Sequence, residues 1–270
     1  MAALARRSNV NDFSTIKVQI GEGLGAVTLS RPDRMNGMSM LMVIETYEAL
    51  SRLAADRSVR VVTLSGEGRG FCPGADLSGR PREGPEVDAA RPEHFHVPVL
   101  LHEMPQVTIA AVNGACAGAG LGWAAACDLR YAARSANFNT AFLDVAVAGD
   151  MGVPWTLPRL VGAAKARELS FFPDKFSADE ALRIGFVTAV FDDATFRQET
   201  AARVDRLLHA PPEALRTMKL HFLAAERTGF SDFIDLETSR HIPMSQAPAA
   251  QDAFRAFAEA RRRDGPRGPS

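Results

Sequence analysis

Apolar and polar positions alternate through residues 15–20 (TIKVQI) and again through 26–30 (AVTLS), with GEGLG between them, which predicts a β-hairpin. The period then lengthens. Val43, Ile44, Tyr47, Leu50 and Leu53 recur at helical spacing behind Ser39, an N-cap residue type, so a helix is predicted to begin there and run through Ala55. VRVVTLSG is a short apolar strand, and residues 78–98 form a long proline- and glycine-rich loop of the kind usually tied to function or motion. A helix to about Glu103, the strand VTIAAV, a helix from about Gly118 and the strands LRYAA and ANFNTAF follow. Strands alternating with helices predict a layered α/β fold.

The second half has a different rhythm. FSADEALRIG carries a capping box, Ser177 with Glu180 three residues on, and closes at Gly185, which predicts a short helix. FVTAVF is expected to be the last strand, and from Thr195 the periodicity is helical to the end, punctuated by Pro211, Pro212 and Pro243. The expected division is a core over residues 1–204 and a helical C-terminal region over 205–270.

Composition narrows the function classes. With 46% hydrophobic and 23% charged residues in 270, the chain has enough apolar content for a full core. A formal net charge of −1 supplies no general field for nucleic acid or an anionic membrane, and no apolar run is long enough to span a bilayer. Three cysteines without CxxC or Cys/His ligand spacing predict neither a disulfide framework nor a metal site, so a reducing, cytoplasmic setting is expected.

The candidate chemistry lies in two glycine-punctuated turns that each follow a strand. NGACAGAGLGWAAACD, residues 113–128, enters a helix with no acidic residue before Asp128. Gly118, Gly120 and Gly122 give G-x-G-x-G, which lacks both the spacing and the downstream acid of a dinucleotide cradle. Close packing of two backbones is the plainer reading of such glycines. LSGEGRGFCPGADLSG, residues 64–79, likewise offers backbone N–H groups that no regular element consumes. Two such turns converging on one oxygen would make an oxyanion hole, with a helix N-terminus adding its positive end.

FCPGADL, PQVTIAAVNGACAGAGLGWAAACDLRYA, LPRLVGAAKARELSF and SADEALRIGFV, in that order, resemble successive signatures of the enoyl-CoA hydratase/isomerase (crotonase) superfamily, and the likeness covers roughly residues 14–262. The resemblance implies an α/β crotonase-like spiral of ββα units, a helical C-terminal region that packs trimers or hexamers, and an acyl-CoA thioester as ligand. Coenzyme A would enter as part of the substrate, with no separately bound cofactor. It places the oxyanion donors on the backbone N–H groups of Ala75 and Ala119, and Arg34 and Met35, in SRPDRMNGMS, near the adenine end of the coenzyme. It also sets Asp76, Leu77 and Phe142 against the substrate.

The chain departs from the family at the two glutamates that hold the attacking water in its hydratases: those positions are Gly122 and Phe142. Ordinary hydration is therefore expected to be poor, since each positioned acid or base typically contributes about 10²- to 10⁴-fold. Asp150 stands where the dienoyl-CoA isomerase branch carries an aspartate, although that branch keeps a glutamate at the Phe142 position. Two roles stay open for it: a proton shuttle whose pKa is raised by burial beside Phe142, Trp123 or Trp155, or a cap on the helix that GDMGVPW begins. Asp144 is the weaker candidate, and His94 and His96 are expected on the surface. The resulting expectation is isomerase-type proton transfer on an enoyl- or dienoyl-CoA. The alternatives are a non-catalytic acyl-CoA binder and a fatty-acid-metabolism hydratase.

Overall fold

The computed structural model of the protein describes residues 8–10, 12–77 and 89–263. Its elements recur as two strands and a helix. After β1 (Ser8–Val10), the strands β2 (Ile16–Gly21) and β3 (Leu24–Leu29) lead to α1 (Met40–Ala55). Next, β4 (Val61–Gly66) and β5 (Gly70–Cys72) lead towards α2 (Val97–Glu103). The strands β6 (Val107–Val112) and β7 (Ala115–Ala117) lead to α3 (Ala119–Ala126), and β8 (Leu129–Ala133) and β9 (Asn137–Asn139) to α4 (Val153–Val161). Each turn sends its first strand to one sheet and, from β5 onward, its second strand to another. That is a ββα spiral.

α5 (Ala163–Phe171), β10 (Phe176–Ser177), α6 (Ala178–Arg183), β11 (Ala189–Phe191) and α7 (Phe196–Leu208) complete this part of the chain. The larger sheet has the order β1-β2-β3-β4-β6-β8-β11, antiparallel through β3 and parallel beyond it. The smaller one runs β10-β9-β7-β5, with β5, β7 and β9 parallel. Burial follows sheet position: β2 alternates buried and exposed residues, whereas all six residues of the interior strand β6 are buried, as a strand covered on both faces requires.

Helix α1 starts where its sequence says it should. Ser39 Oγ accepts the Met42 N–H at 3.2 Å, and Met42, Val43, Thr46, Ala49, Leu50 and Leu53 form its buried face. On the same helix the buried carboxylate of Glu45 accepts the backbone N–H groups of Ser14 and Thr15 and the Thr15 hydroxyl. The capping box at Ser177 is only half formed. Ser177 Oγ accepts from the Glu180 N–H at 3.2 Å, but the Glu180 carboxylate turns forward to Arg183 at 2.6 Å.

The strand expected over residues 136–142 stops at Asn139. Asn139 Oδ1 takes the N–H of Ala141, which sits at φ 57°, and the chain turns into a 3-10 helix over Leu143–Val145. Phe142 and Asp144 therefore do not lie on a strand.

The chain divides into two compact units, with the break after Pro212. The second unit is helical: α8 (Pro212–Ala225) runs into it, followed by α9 (Phe230–Gln246) and α10 (Pro248–Arg263). It leaves Phe222, Phe230, Phe254 and Phe257 exposed. Among the described residues, no helix is long and apolar enough to cross a membrane.

Candidate active site

The two glycine turns leave the same end of two neighbouring strands. β5 and β7 are parallel, with Cys72 opposite Cys116, so the segments after them emerge side by side at the strands' carboxyl ends, where open α/β sheets typically bind ligands. The turns touch. A methyl on Gly118 would lie 3.7 Å from the Cα of Gly74, and one on Gly74 would lie 3.2 Å from the carbonyl oxygen of Ala117. Gly118 holds φ 51° and ψ −124°, a conformation that L-residues avoid, and its N–H is fixed by the carbonyl of Asn139 at 3.0 Å. Ala75 and Ala119 are the residues that follow this contact.

Each leaves a backbone donor over. Around Ala75, Met38 donates to the Gly74 carbonyl at 2.8 Å and accepts from Asp76 at 2.9 Å. That bridge uses the groups on either side of Ala75 and turns its own N–H to the opposite edge, where it has no hydrogen-bond partner among the described residues. Ala119 is the first residue of α3, whose opening N–H groups have no intrahelical acceptor, and no side chain caps them. The first intrahelical bond there runs from Gly122 N–H to the Gly118 carbonyl, at 3.1 Å.

Both turns are braced from behind. Asp76 takes a hydrogen bond from Arg31 at 2.8 Å, and Arg31 also donates to the Gly37 carbonyl at 2.5 Å, tying the 31–38 segment to the Ala75 turn. Asp76, expected against substrate, thus has its carboxylate engaged by this chain's own cation. Met35 lies over β5, its carbonyl 2.9 Å from where a methyl on Gly70 would be, while Arg34 stands half exposed with Asp33 3.8 Å away. Leu77 is 64% exposed beside the Ala75 donor.

At the far end of α3 the Arg130 guanidinium is buried among carbonyls. It donates to Cys127 at 2.5 Å, to Phe186 at 2.6 Å and, more weakly, to Ala124 and Ala125. A cation among the last carbonyls complements the negative end of the helix whose positive end carries Ala119. Burial pushes the guanidinium's pKa below its usual range. Nothing in the local pattern LRYAA marks this arginine as a helix cap, because the helix it caps precedes the strand it sits on.

Phe142 is buried, with a ring carbon 3.9 Å from where a methyl on Gly118 would stand, so an apolar edge faces the turn. Gly122 is pressed on Met151: a Cβ there would fall 2.7 Å from both the Cβ and the carbonyl oxygen of Met151. That contact fixes Asp150 next to α3, one helical turn along from Ala119. Asp150 is exposed rather than buried beside Phe142, Trp123 or Trp155. Its Oδ1 accepts the Met151 N–H at 2.8 Å and its carbonyl accepts from Val153 at 3.1 Å, while Gly152 is the N-cap of α4. The carboxylate thus closes the turn before the helix rather than capping the helix itself. Positive φ at Gly149 (121°), Met151 (47°) and Gly152 (77°) brackets it. A non-glycine residue held there costs about 1–3 kcal/mol and persists where surrounding packing fixes it, a pattern common at functional sites.

The other candidates separate. Asp144 is exposed on the 3-10 helix. His94 is buried rather than on the surface, its Nδ1 accepting the Arg91 N–H at 3.0 Å and its ring edge-on to Tyr47; His96 is exposed. The cysteines are free and buried, and burial pushes the Cys72 thiol up to about 12 and Cys116 well above the ordinary thiol range. Thiol titration of the native protein at about pH 8 is expected to count none of the three, and after denaturation all three. Rapid native labelling of Cys72 would show that the Gly74 turn opens.

Comparison with known proteins agrees with this fold. The family model described as enoyl-CoA hydratase/isomerase matches residues 19–264. A probable enoyl-CoA hydratase of Rhodobacter capsulatus is 35% identical over 251 residues, covering 92% of this chain and 96% of that protein. The 1,2-epoxyphenylacetyl-CoA isomerase of Escherichia coli is 34% identical over 223 residues, covering 81% of this chain and 85% of its own. Among solved structures, an enoyl-CoA hydratase subunit from Geobacillus kaustophilus superposes with a TM-score of 0.83 at 29% identity, covering 93% of this chain and 97% of that one. With the ββα spiral, the paired turns and a family match over nearly its whole length, the chain belongs to the enoyl-CoA hydratase/isomerase (crotonase) family.

Proposed function

We propose that the protein binds an acyl-CoA thioester, with coenzyme A entering only as part of the substrate, and moves a proton between carbons conjugated to the thioester carbonyl. The Asp150 carboxylate removes a proton from the γ carbon of an α,β-enoyl thioester, and the electron pair passes to the carbonyl oxygen. Ala75 and Ala119 N–H groups hold the resulting dienolate, and Asp150 returns the proton at the α carbon. The double bond moves; nothing is oxidised or reduced. The observation that carries this reading is the contact of the Gly74 and Gly118 turns, each followed by an uncommitted N–H, with an exposed carboxylate held one helical turn further along α3. Two donors aimed at one developing charge are worth roughly 3–4 kcal/mol each. The relative named for 1,2-epoxyphenylacetyl-CoA isomerisation, at 34% identity, gives isomerisation of an acyl-CoA a precedent, on an epoxide rather than a double bond.

Hydration is the competing reaction, in keeping with the relative named a probable hydratase. It is disfavoured because the positions that would flank the attacking water carry a hydrogen and a phenyl ring, at Gly122 and Phe142. Arg34, Met35 and Leu77 remain proposed contacts of the coenzyme and acyl moieties. The exposed phenylalanines of the helical unit support assembly into a trimer or hexamer.

Incubation of α,β- and β,γ-enoyl-CoA with the protein in D₂O tests the reading. Deuterium at the α and γ carbons without a water adduct is the expected result; a 3-hydroxyacyl-CoA as the main product, or tight binding with no exchange, would overturn it. Reinstalling the hydratase acids is expected to fail. Gly122→Glu must displace the Met151 backbone, lowering stability by about 1–3 kcal/mol, and the Gly122→Glu/Phe142→Glu double variant is expected to add no measurable hydration. Thermal melting and a water-addition assay check both, and a gain of hydration in a fully stable double variant would mean that the Met151 turn yields.

A further inference from the structure

A cavity of about 300 Å³ lies between the 3-10 helix at Leu143–Val145, α4 and α5. Its walls tie it to the proposed chemistry. Phe142, whose ring also borders the Gly118 turn, forms part of one side, and Gly149 and Val153, on either side of the Asp150 turn, form another. The volume is at the small end of ligand pockets, sufficient for a short or single-ring acyl group and too small for a long alkyl chain. Most of the lining is apolar. The exceptions are Arg167 and Ser170 on α5.

These two differ in what the protein gives them. Ser170 Oγ already donates to the Ala166 carbonyl at 2.7 Å. Arg167 has no ion pair or hydrogen bond among the described residues, and the acid next to it in sequence is taken, since Glu168 is bound by Lys165 at 2.7 Å. Asp150 is likewise engaged by the Met151 N–H. A guanidinium bordering an apolar cavity loses hydration when the cavity fills, a cost that is offset only if the occupant brings an acceptor. Its planar fork fits a carboxylate with two parallel hydrogen bonds.

We infer that this cavity receives the acyl group, and that Arg167 selects compact acyl groups ending in a carboxylate. The inference rests on the acyl-CoA reading above and adds the distal end of the substrate to it. Arg167 would act on specificity, well away from the reacting carbons.

The test is a matched pair of ligands: a short straight-chain 2-enoyl-CoA ending in a methyl group, and the same chain ending in a carboxylate. Binding is measured by calorimetry with wild-type protein and with Arg167→Met and Arg167→Lys, both at an exposed position where folding is expected to be unaffected. The wild type is expected to prefer the carboxylate-ended ligand. Arg167→Met should weaken that ligand about tenfold or more, bind the methyl-ended ligand at least as tightly as the wild type does and abolish the preference, while Arg167→Lys keeps part of it. Equal affinity for the two ligands in wild type and Arg167→Met would mean that Arg167 is only a solvated surface charge, overturning this inference while the acyl-CoA reading stands. If neither ligand binds the wild type, both fall.

Discussion

Asp150→Asn is expected to slow isotope exchange at the α and γ carbons of a bound enoyl-CoA by about 10²- to 10⁴-fold, the usual contribution of a positioned acid or base. The variant is informative because it changes the chemistry with little change of shape. The Met151 N–H that Oδ1 now accepts at 2.8 Å finds the same acceptor in an asparagine, so the turn with its positive φ angles at Gly149, Met151 and Gly152 keeps its closure. Asp150 is exposed and makes no ion pair among the described residues, so stability should change by no more than a surface substitution does, about 0.5 kcal/mol. Affinity for the thioester should hold within a few-fold, because in the proposed function the grip comes from main-chain donors at Ala75 and Ala119. Asp144→Asn is the control: its carboxylate sits on the exposed 3-10 helix, and exchange should continue at the wild-type rate. Exchange that survives in Asp150→Asn and is lost in Asp144→Asn would move the shuttle to Asp144.

How much of this was readable beforehand depends on the range of the physics involved. The hairpin of β2 and β3, helix α1 behind Ser39 and the fully apolar strand β6 follow from periods of 2 and 3.6 within a few residues, and those survive folding because burial rewards them directly. The candidate site was legible as two glycine turns. What the turns do for one another was not, because Gly74 meets Gly118 only once β5 and β7 pair in parallel register, and that pairing joins residues more than forty apart. The same limit hid Arg130, which caps a helix that precedes its own strand, and Met151, which occupies the space a glutamate at 122 would need. Local alternatives account for the remaining misreadings. Asn139 bonded forward to Ala141 and ended a strand that hydrophobicity alone would have prolonged, and Glu180 found Arg183 before it could close its capping box. His94 looked like a loop residue from its proline-rich surroundings, but Tyr47 and the Arg91 N–H draw it inward.

Gly120→Ala is expected to damage both stability and the paired turns, and the reason is the backbone it would strike. A Cβ at 120 would stand 2.2 Å from the carbonyl oxygen of Cys72 and 2.7 Å from its Cβ. Neither is the mobile end of a side chain: both belong to β5, which is locked to β7. Helix propensity favours the substitution by about 1 kcal/mol, since alanine loses less backbone freedom than glycine on α3. Overpacking against fixed backbone opposes it by about 3 kcal/mol, so the net effect should be a loss of about 2 kcal/mol, read as a lower denaturation midpoint at unchanged slope. Activity should fall further than stability implies. Relief of the clash requires α3 to back away from β5, which draws the Ala119 donor from the Ala75 donor, and losing one donor of such a pair costs about 10²- to 10³-fold in turnover. Gly162→Ala separates this contact from backbone strain, because Gly162 holds φ 79° but has nothing within 4 Å of its Cβ direction. It should cost only the strain of a positive φ with ψ near 156°, about 1–3 kcal/mol, with exchange retained. A Gly120→Ala protein that melts with the wild type and exchanges at its rate would show that α3 does not rest on β5, and the convergence of the two donors would lose its structural basis.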